Sequence, residues 1–330
     1  MFQESKALTP RHNDASSRSR GVTLVEVLVV LSIIALAASL LIPAIQSARR
    51  AAWRATCSNN LRQIGIALHA YTETHNCLPK GYNGEGYSLF AMLLPNLEQG
   101  AIYNSINFSR QAPFIGIKKS ANFTAAFSEL SVLLCPADAS NHQRSSNHTN
   151  YAGNGGYDRL VPNAKGLFSE STPDLLTSVG MQSILDGTTQ TAAVGEWVVG
   201  GPRRLERNPL ATVYNLPLIS GSSIFNTFAN QCTDLDEKIT AQVSARHCRW
   251  ICGGFGDTLY NHILLPNQHT CLNGGHVNSG IFPSSSFHNG GINVLFADGH
   301  VDLKKSSISA SVWRALGTRS GQEILSDPAD

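Results

Sequence analysis

Residues 20–50 read RGVTLVEVLVVLSIIALAASLLIPAIQSARR, the most apolar stretch of the chain. From Val27 to Ile45 only Ser32, Ser39 and Pro43 interrupt a run of Leu, Val, Ile and Ala. With Val22 to Leu24 in front, the stretch reaches the ~20 residues a helix needs to cross a bilayer. Glu26 stands near its start, although a carboxylate in lipid costs about 2.5–3.5 kcal/mol on insertion scales. Three readings compete. A secretory signal peptide would use Ala35-Leu36-Ala37 as its small-residue cleavage site, but the run stays apolar past it through Leu40, Leu41 and Ile42. A plain transmembrane anchor fits the length and leaves Glu26 unexplained. The third reading accounts for Gly21 and Glu26 together.

The 330 residues are enough for one large domain or two small ones. Charged residues make up 15% and the net charge is +2. Lys6, Arg11, Arg18 and Arg20, against Glu4 and Asp14, make the segment 1–21 basic; beyond it, basic and acidic residues are equal in number. A neutral body lacks the basic stripe of a nucleic-acid binder, so nucleic acid is not an expected partner. The chain has seven cysteines, many for a cytosolic protein and ordinary for an exported one with disulfides.

The basic, polar leader ends in Gly21, and Val22-Thr23-Leu24-Val25-Glu26 follows. This order, with Pro43 late in the apolar run, resembles the type IV prepilin cleavage and methylation signal; Val22 stands where phenylalanine is usual. The resemblance implies cleavage between Gly21 and Val22 by a prepilin peptidase, methylation of the new terminus, and assembly with other pilin-like subunits. In a filament, Glu26 of one subunit would neutralise the terminal amine of its neighbour, since neither charge is stable alone among apolar helices. Glu26 is then an assembly residue, and Pro43 the helix-bending proline of such subunits.

The helical pattern continues through residues 47–76, SARRAAWRATCSNNLRQIGIALHAYTETHN. Trp53, Cys57, Leu61, Ile64, Leu68 and Tyr71 recur at spacings of three and four, one stripe of an amphipathic helix. A helix from Val22 to about Thr74 would be roughly 80 Å long. Its half at 22–45 is expected to span the inner membrane once. Its half at 46–75 offers the stripe to a globular domain at 76–330. Arg49, Arg50 and Arg54 follow the span closely, so the exported placement of the body rests on the prepilin resemblance rather than on charge.

Beyond Cys77 the segments are short and punctuated by turns. Val132 to Leu134 is an apolar run ended by Cys135-Pro136. Residues 140–156 read as loop. Asp186-Gly187 turns into a strand over Thr191 to Val199, and 200–275 reads as a loop-rich insertion. Residues 288–309 carry a hairpin: Ile292 to Ala297, a two-residue Asp298-Gly299 turn of type I′, then His300 to Leu303. Ile292, Val294 and Phe296 share its apolar face, with Val301 and Leu303 continuing the apolar pairing across the turn.

The stretches CSNNLRQIGIALHAY, LLPNLEQ, LLCPAD, NYAGNGG, LDGTTQTAAVGEW and HNGGINVLFADGHVD occur in this order. They resemble a bacterial domain-of-unknown-function family that joins a prepilin-type N-terminus to a C-terminal H-x9-DG element, here His288, nine residues, and Asp298-Gly299. The resemblance spans Gly21 to Ser309. It implies an α+β, pilin-like fold with the long helix packed on antiparallel sheet, and a pseudopilin-like subunit of a type II secretion or type IV pilus type of assembly. The rival is a membrane-anchored exported binding or enzymatic domain that does not polymerise.

Chemistry is sparse. No nucleophile elbow, phosphate loop or His-Glu-x-x-His pattern occurs, so neither catalysis nor a cofactor is expected. Glu196 reads as a strand-end charge. His288, Asp298 and His300 would form a metal site if they converged; otherwise the element is a structural clasp around its turn. Cys57, on the helical stripe, is expected to bridge to Cys135, with Cys77 the competitor. Cys232, Cys248, Cys252 and Cys271 suggest two disulfides within the insertion, against a zinc site built from His247, Cys248, Cys252 and Cys271.

Overall fold

The computed structural model describes residues 23–113, 121–138, 147–156, 166–168, 179–199, 209–219, 224–236, 242–245 and 249–322. Gly21, Val22, His247 and Cys248 lie outside the described residues. Contacts divide the chain into a unit ending at Arg49 and a body beginning at Arg50.

Helix α1 (Leu24–His75) opens on a reciprocal cap. The Glu26 N–H donates to Thr23 Oγ1 at 3.3 Å, and the Thr23 N–H donates to the Glu26 carboxylate at 2.8 Å. The helix continues through Pro43. Its large apolar side chains from Leu24 to Ile45 are exposed, along about 33 Å of helix, enough for a hydrocarbon core. It stops where Asn76 takes a φ of 55° and its N–H caps the Thr72 carbonyl at 2.8 Å.

The body holds two sheets. One comprises β1 (Tyr151–Asn154), β2 (Ala192–Glu196), β5 (Leu259–Tyr260), β8 (Gly291–Phe296) and β9 (Val301–Lys305), in the order β5-β1-β2-β8-β9. The other comprises β3 (Thr212–Leu216), β4 (Gln242–Ala245), β6 (Thr270–Asn273) and β7 (His276–Ile281), in the order β4-β3-β6-β7. The class is α+β, but the sheets are mixed rather than antiparallel: β1 with β5 and β3 with β6 run parallel. Parallel neighbours need long crossovers, and the connections between these pairs are long enough to supply them.

Two loop expectations fail for a common reason. Tyr151–Asn154, inside the expected loop 140–156, is a strand buried at every residue and flanked by strands on both sides. The interval 200–275 contributes β3, β4, β5, β6 and the helix Ile224–Thr233. β1, β5 and β6 are buried at every residue and need not alternate, so periodicity does not find them.

The stripe on α1 packs into the body. Cys57, Leu61, Ile64, Ala67 and Leu68 are buried in one cluster with Tyr151, Val194 and Leu295. Each fully buried Leu or Ile contributes about 1.5–3 kcal/mol. Tyr71 is partly buried against this cluster, whereas Trp53 is 36% exposed. Gly65 permits the contact, since a Cβ there would lie 2.9 Å from Leu295 Cδ1.

The hairpin β8–β9 corrects the turn type. The Phe296 N–H donates to the His300 carbonyl at 2.9 Å and the Gly299 N–H to the Phe296 carbonyl at 3.0 Å. Three residues therefore make the loop, and Gly299 alone takes positive φ, 93°, where type I′ would need it at Asp298 too. The Asp298 side chain instead accepts the His300 N–H at 3.0 Å, which fixes the turn from its other side. Both faces of β8 are buried. Ile292, Val294 and Phe296 pack with Trp197, Tyr260 and Trp313, and Leu295 packs on the α1 side. Val301, paired with Leu295, continues that second face rather than the first.

Among the described residues two bridges, Cys57–Cys135 and Cys232–Cys271, close the body, and Cys252 carries a free thiol where a second insertion bridge was expected. Peptide mapping without reductant should recover these two links, with Cys77 and Cys252 alkylated after denaturation. Reducing the Cys57–Cys135 bridge, with its separation of 78 residues, should cost about 4–5 kcal/mol on the chain-entropy account. Gly299→Val should lower stability by about 1–3 kcal/mol in denaturant titration, since valine is strained at that φ.

Candidate functional site

Two polar sites bear on function. The first is the head of α1. Besides the backbone cap, the Thr23 hydroxyl donates to the Glu26 carboxylate at 2.9 Å. Glu26 is thereby held at the start of the apolar helix, beside the segment that contains Gly21 and Val22. The Thr23-x-x-Glu26 spacing is a capping-box signature, a role for Glu26 that the prepilin resemblance does not imply.

The second place is inside the body. Four segments converge: Cys57 from α1, Cys135 just after the 3-10 turn Ser131–Leu133, Glu196 at the end of β2, and His288 before β8. His288 Nε2 lies 3.5 Å from Cys135 Sγ and 3.4 Å from Glu196 Oε1. One sulfur, nitrogen or carboxylate oxygen from each of the four lies within 4.8 Å of the others. All four residues are buried, and Glu196 is 2% exposed.

Glu196 therefore does end a strand, but as a buried and fully engaged acid. The Asn293 backbone N–H donates to Oε2 at 2.9 Å and its side-chain amide donates to Oε1 at 2.8 Å. The antiparallel pairing of β2 with β8 makes this reach possible. The cysteines are also held from outside: the Asn150 side chain accepts the Cys135 N–H at 2.9 Å, and the Tyr151 hydroxyl donates to the Cys57 carbonyl at 3.2 Å. Burial, with the Glu196 charge nearby, raises the Tyr151 phenol well above its usual pKa and keeps it a donor.

Of the sequence-based metal sets, that of His288, Asp298 and His300 does not assemble, and that of His247, Cys248, Cys252 and Cys271 lies partly outside the described residues. His288 stands at one end of β8 and Asp298 and His300 at the other, roughly 20 Å apart for a strand of this length. The nine-residue spacing measures the strand and its approaches. At the turn, Asp298 Oδ1 and His300 Nδ1 pair at 2.6 Å, and the His300 ring stacks on Phe296 at 4.4 Å between centroids. In the insertion, Cys271 is consumed by its bridge to Cys232. The Cys252 thiol, buried and near Asp257, is pushed up to about 12 despite Arg249, and it donates to the Pro113 carbonyl at 3.5 Å.

Glu196 and His288 were each visible in sequence, but their partnership was not. The signal was the strand over Thr191 to Val199 together with the hairpin: pairing those two strands brings Glu196 to Asn293 and His288.

Residues 16–42 match the prokaryotic N-terminal methylation motif. Residues 46–311 match the family described as protein of unknown function, DUF1559, across both sheets and all four residues of the buried cluster. Neither a curated protein nor a solved structure shows significant similarity to the chain. The chain belongs to the DUF1559 family and carries a prepilin-type signal at the head of its long apolar helix.

Proposed function

We propose that the chain is a pilin-like subunit of the inner membrane, without catalytic activity of its own. Prepilin peptidase removes the leader at Gly21, Val22 is methylated, and α1 anchors an exported body. The subunit then joins other pilin-like subunits in an assembly of the type II secretion or type IV pilus kind. The observation that carries this reading is the methylation motif at 16–42, which runs into a helix whose large apolar side chains are exposed from Leu24 to Ile45.

Processing is tested by intact mass and N-terminal sequencing of the protein from its native membrane. The mature chain should begin at N-methyl-Val22; an intact Met1, or a start near Ala38, would overturn the proposal.

The capping box sharpens the test of assembly. Glu26→Gln keeps an oxygen acceptor for the Thr23 N–H but removes the charge. It should insert as the parent does, while crosslinking into mixed multimers falls at least tenfold. Unchanged multimers would favour a plain anchored domain.

A further inference from the structure

We propose that Cys57, Cys135, Glu196 and His288 form a tetrahedral transition-metal site, suited to Zn²⁺, in the chain whose Cys57 and Cys135 are reduced. The disulfide and the ion are alternative closures of the same centre. The proposal concerns the body and does not depend on assembly.

Geometry supports it first. Tetrahedral zinc with sulfur at about 2.3 Å and nitrogen or oxygen at about 2.0–2.2 Å places its ligands roughly 3.3–3.8 Å apart. His288 Nε2 already stands 3.4 Å from Glu196 Oε1 and 3.5 Å from Cys135 Sγ. All four ligand atoms lie within 4.8 Å of one another. Opening the sulfur–sulfur bond leaves the two thiolates free to separate to the same edge length. Two thiolates, an imidazole and a carboxylate are zinc ligands by type.

The surroundings fit a metal as well. Glu196 is oriented by two donors from Asn293, as ligating carboxylates are by their outer partners. With Glu196 as carboxylate and His288 as neutral imidazole, the centre carries one negative charge in either state. The divalent ion is balanced by the two new thiolates. The ligands come from α1, the segment after the 3-10 turn, β2 and the approach to β8, so an ion would tie the same elements that the disulfide ties.

The chemistry balances. A dithiol reductant gives two electrons and two protons to the Cys57–Cys135 bond and becomes a disulfide. The two thiols then lose their protons to solvent as Zn²⁺ binds. A chain that has not yet met an oxidising compartment needs no reduction step.

The test uses the full chain in detergent, reduced with a dithiol that is then removed under anaerobic conditions. Co²⁺ and Zn²⁺ serve as probes. The reduced chain should bind one ion, with Co²⁺ showing tetrahedral and thiolate-to-metal absorption, whereas the disulfide form should show neither. His288→Ala and Glu196→Gln should weaken binding at least tenfold, and Asn293→Ala, which acts through Glu196, should weaken it about tenfold. The Cys232→Ser/Cys271→Ser double variant should bind as the parent does and so excludes the other bridge. A reduced, folded parent that takes up no stoichiometric ion would overturn the proposal. So would thiolate absorption unchanged in Cys57→Ser, or a reduced parent that stays unfolded with zinc as without it.

Discussion

A helix can approach a sheet only as closely as the side chains between them permit, and at Gly65 the limit is Leu295 itself. A methyl group there would sit 2.9 Å from the leucine. Glycine within a helix costs about 1 kcal/mol relative to alanine, and the close seating offsets that cost by burying Leu61, Ile64 and Leu68 alongside. The same seating sets the position of Cys57, about 12 Å back along the helix, where it meets Cys135. Asn60 and Tyr151 hold this register with polar bonds: Asn60 donates to the Leu134 carbonyl at 2.9 Å, and Tyr151 donates to the Cys57 carbonyl at 3.2 Å.

What was legible in the sequence follows from what leaves a local trace. The α1 helix did, because its apolar run and its spacing of three and four persist over many turns. The Cys57–Cys135 pairing followed from the helical face, since a thiol on the buried stripe must meet the body. The hairpin was placed correctly, but its turn was not, because Asp-Gly serves both a two-residue loop and a three-residue loop closed by a left-handed glycine. Strands β1, β3 and β6 left no alternation, and the parallel partners of β1 and β3 lie far along the chain. The Glu196–His288 contact was hidden for a related reason. It depends on β2 lying beside β8, a long-range choice that neither segment encodes alone.

Glu26 shows how one residue can serve two environments. In the chain as it stands, the carboxylate satisfies the Thr23 N–H and hydroxyl at 2.8 and 2.9 Å, which every helix start must arrange by some means. Those bonds stabilise the charge at the edge of an apolar segment, where water is about to be excluded. A carboxylate already oriented at a helix head loses less entropy when it meets a cationic terminus than a freely rotating one would. Capping is thus compatible with the pairing between subunits proposed above.

The buried cluster poses the opposite problem. A carboxylate that is 2% exposed needs strong partners, and Asn293 supplies two neutral donors. The disulfide beside it supplies none, because a bridged sulfur is at best a weak acceptor. A packed apolar side chain in place of Glu196 would avoid the desolvation cost, as replacements of buried charges commonly do. His288 Nε2, 3.4 Å from Glu196 Oε1, is a further partner for the acid. In the oxidised body the Asn293 bonds, the bridge and the contact of His288 with the acid hold the cluster together, and the same closeness is what an ion would use in the reduced chain.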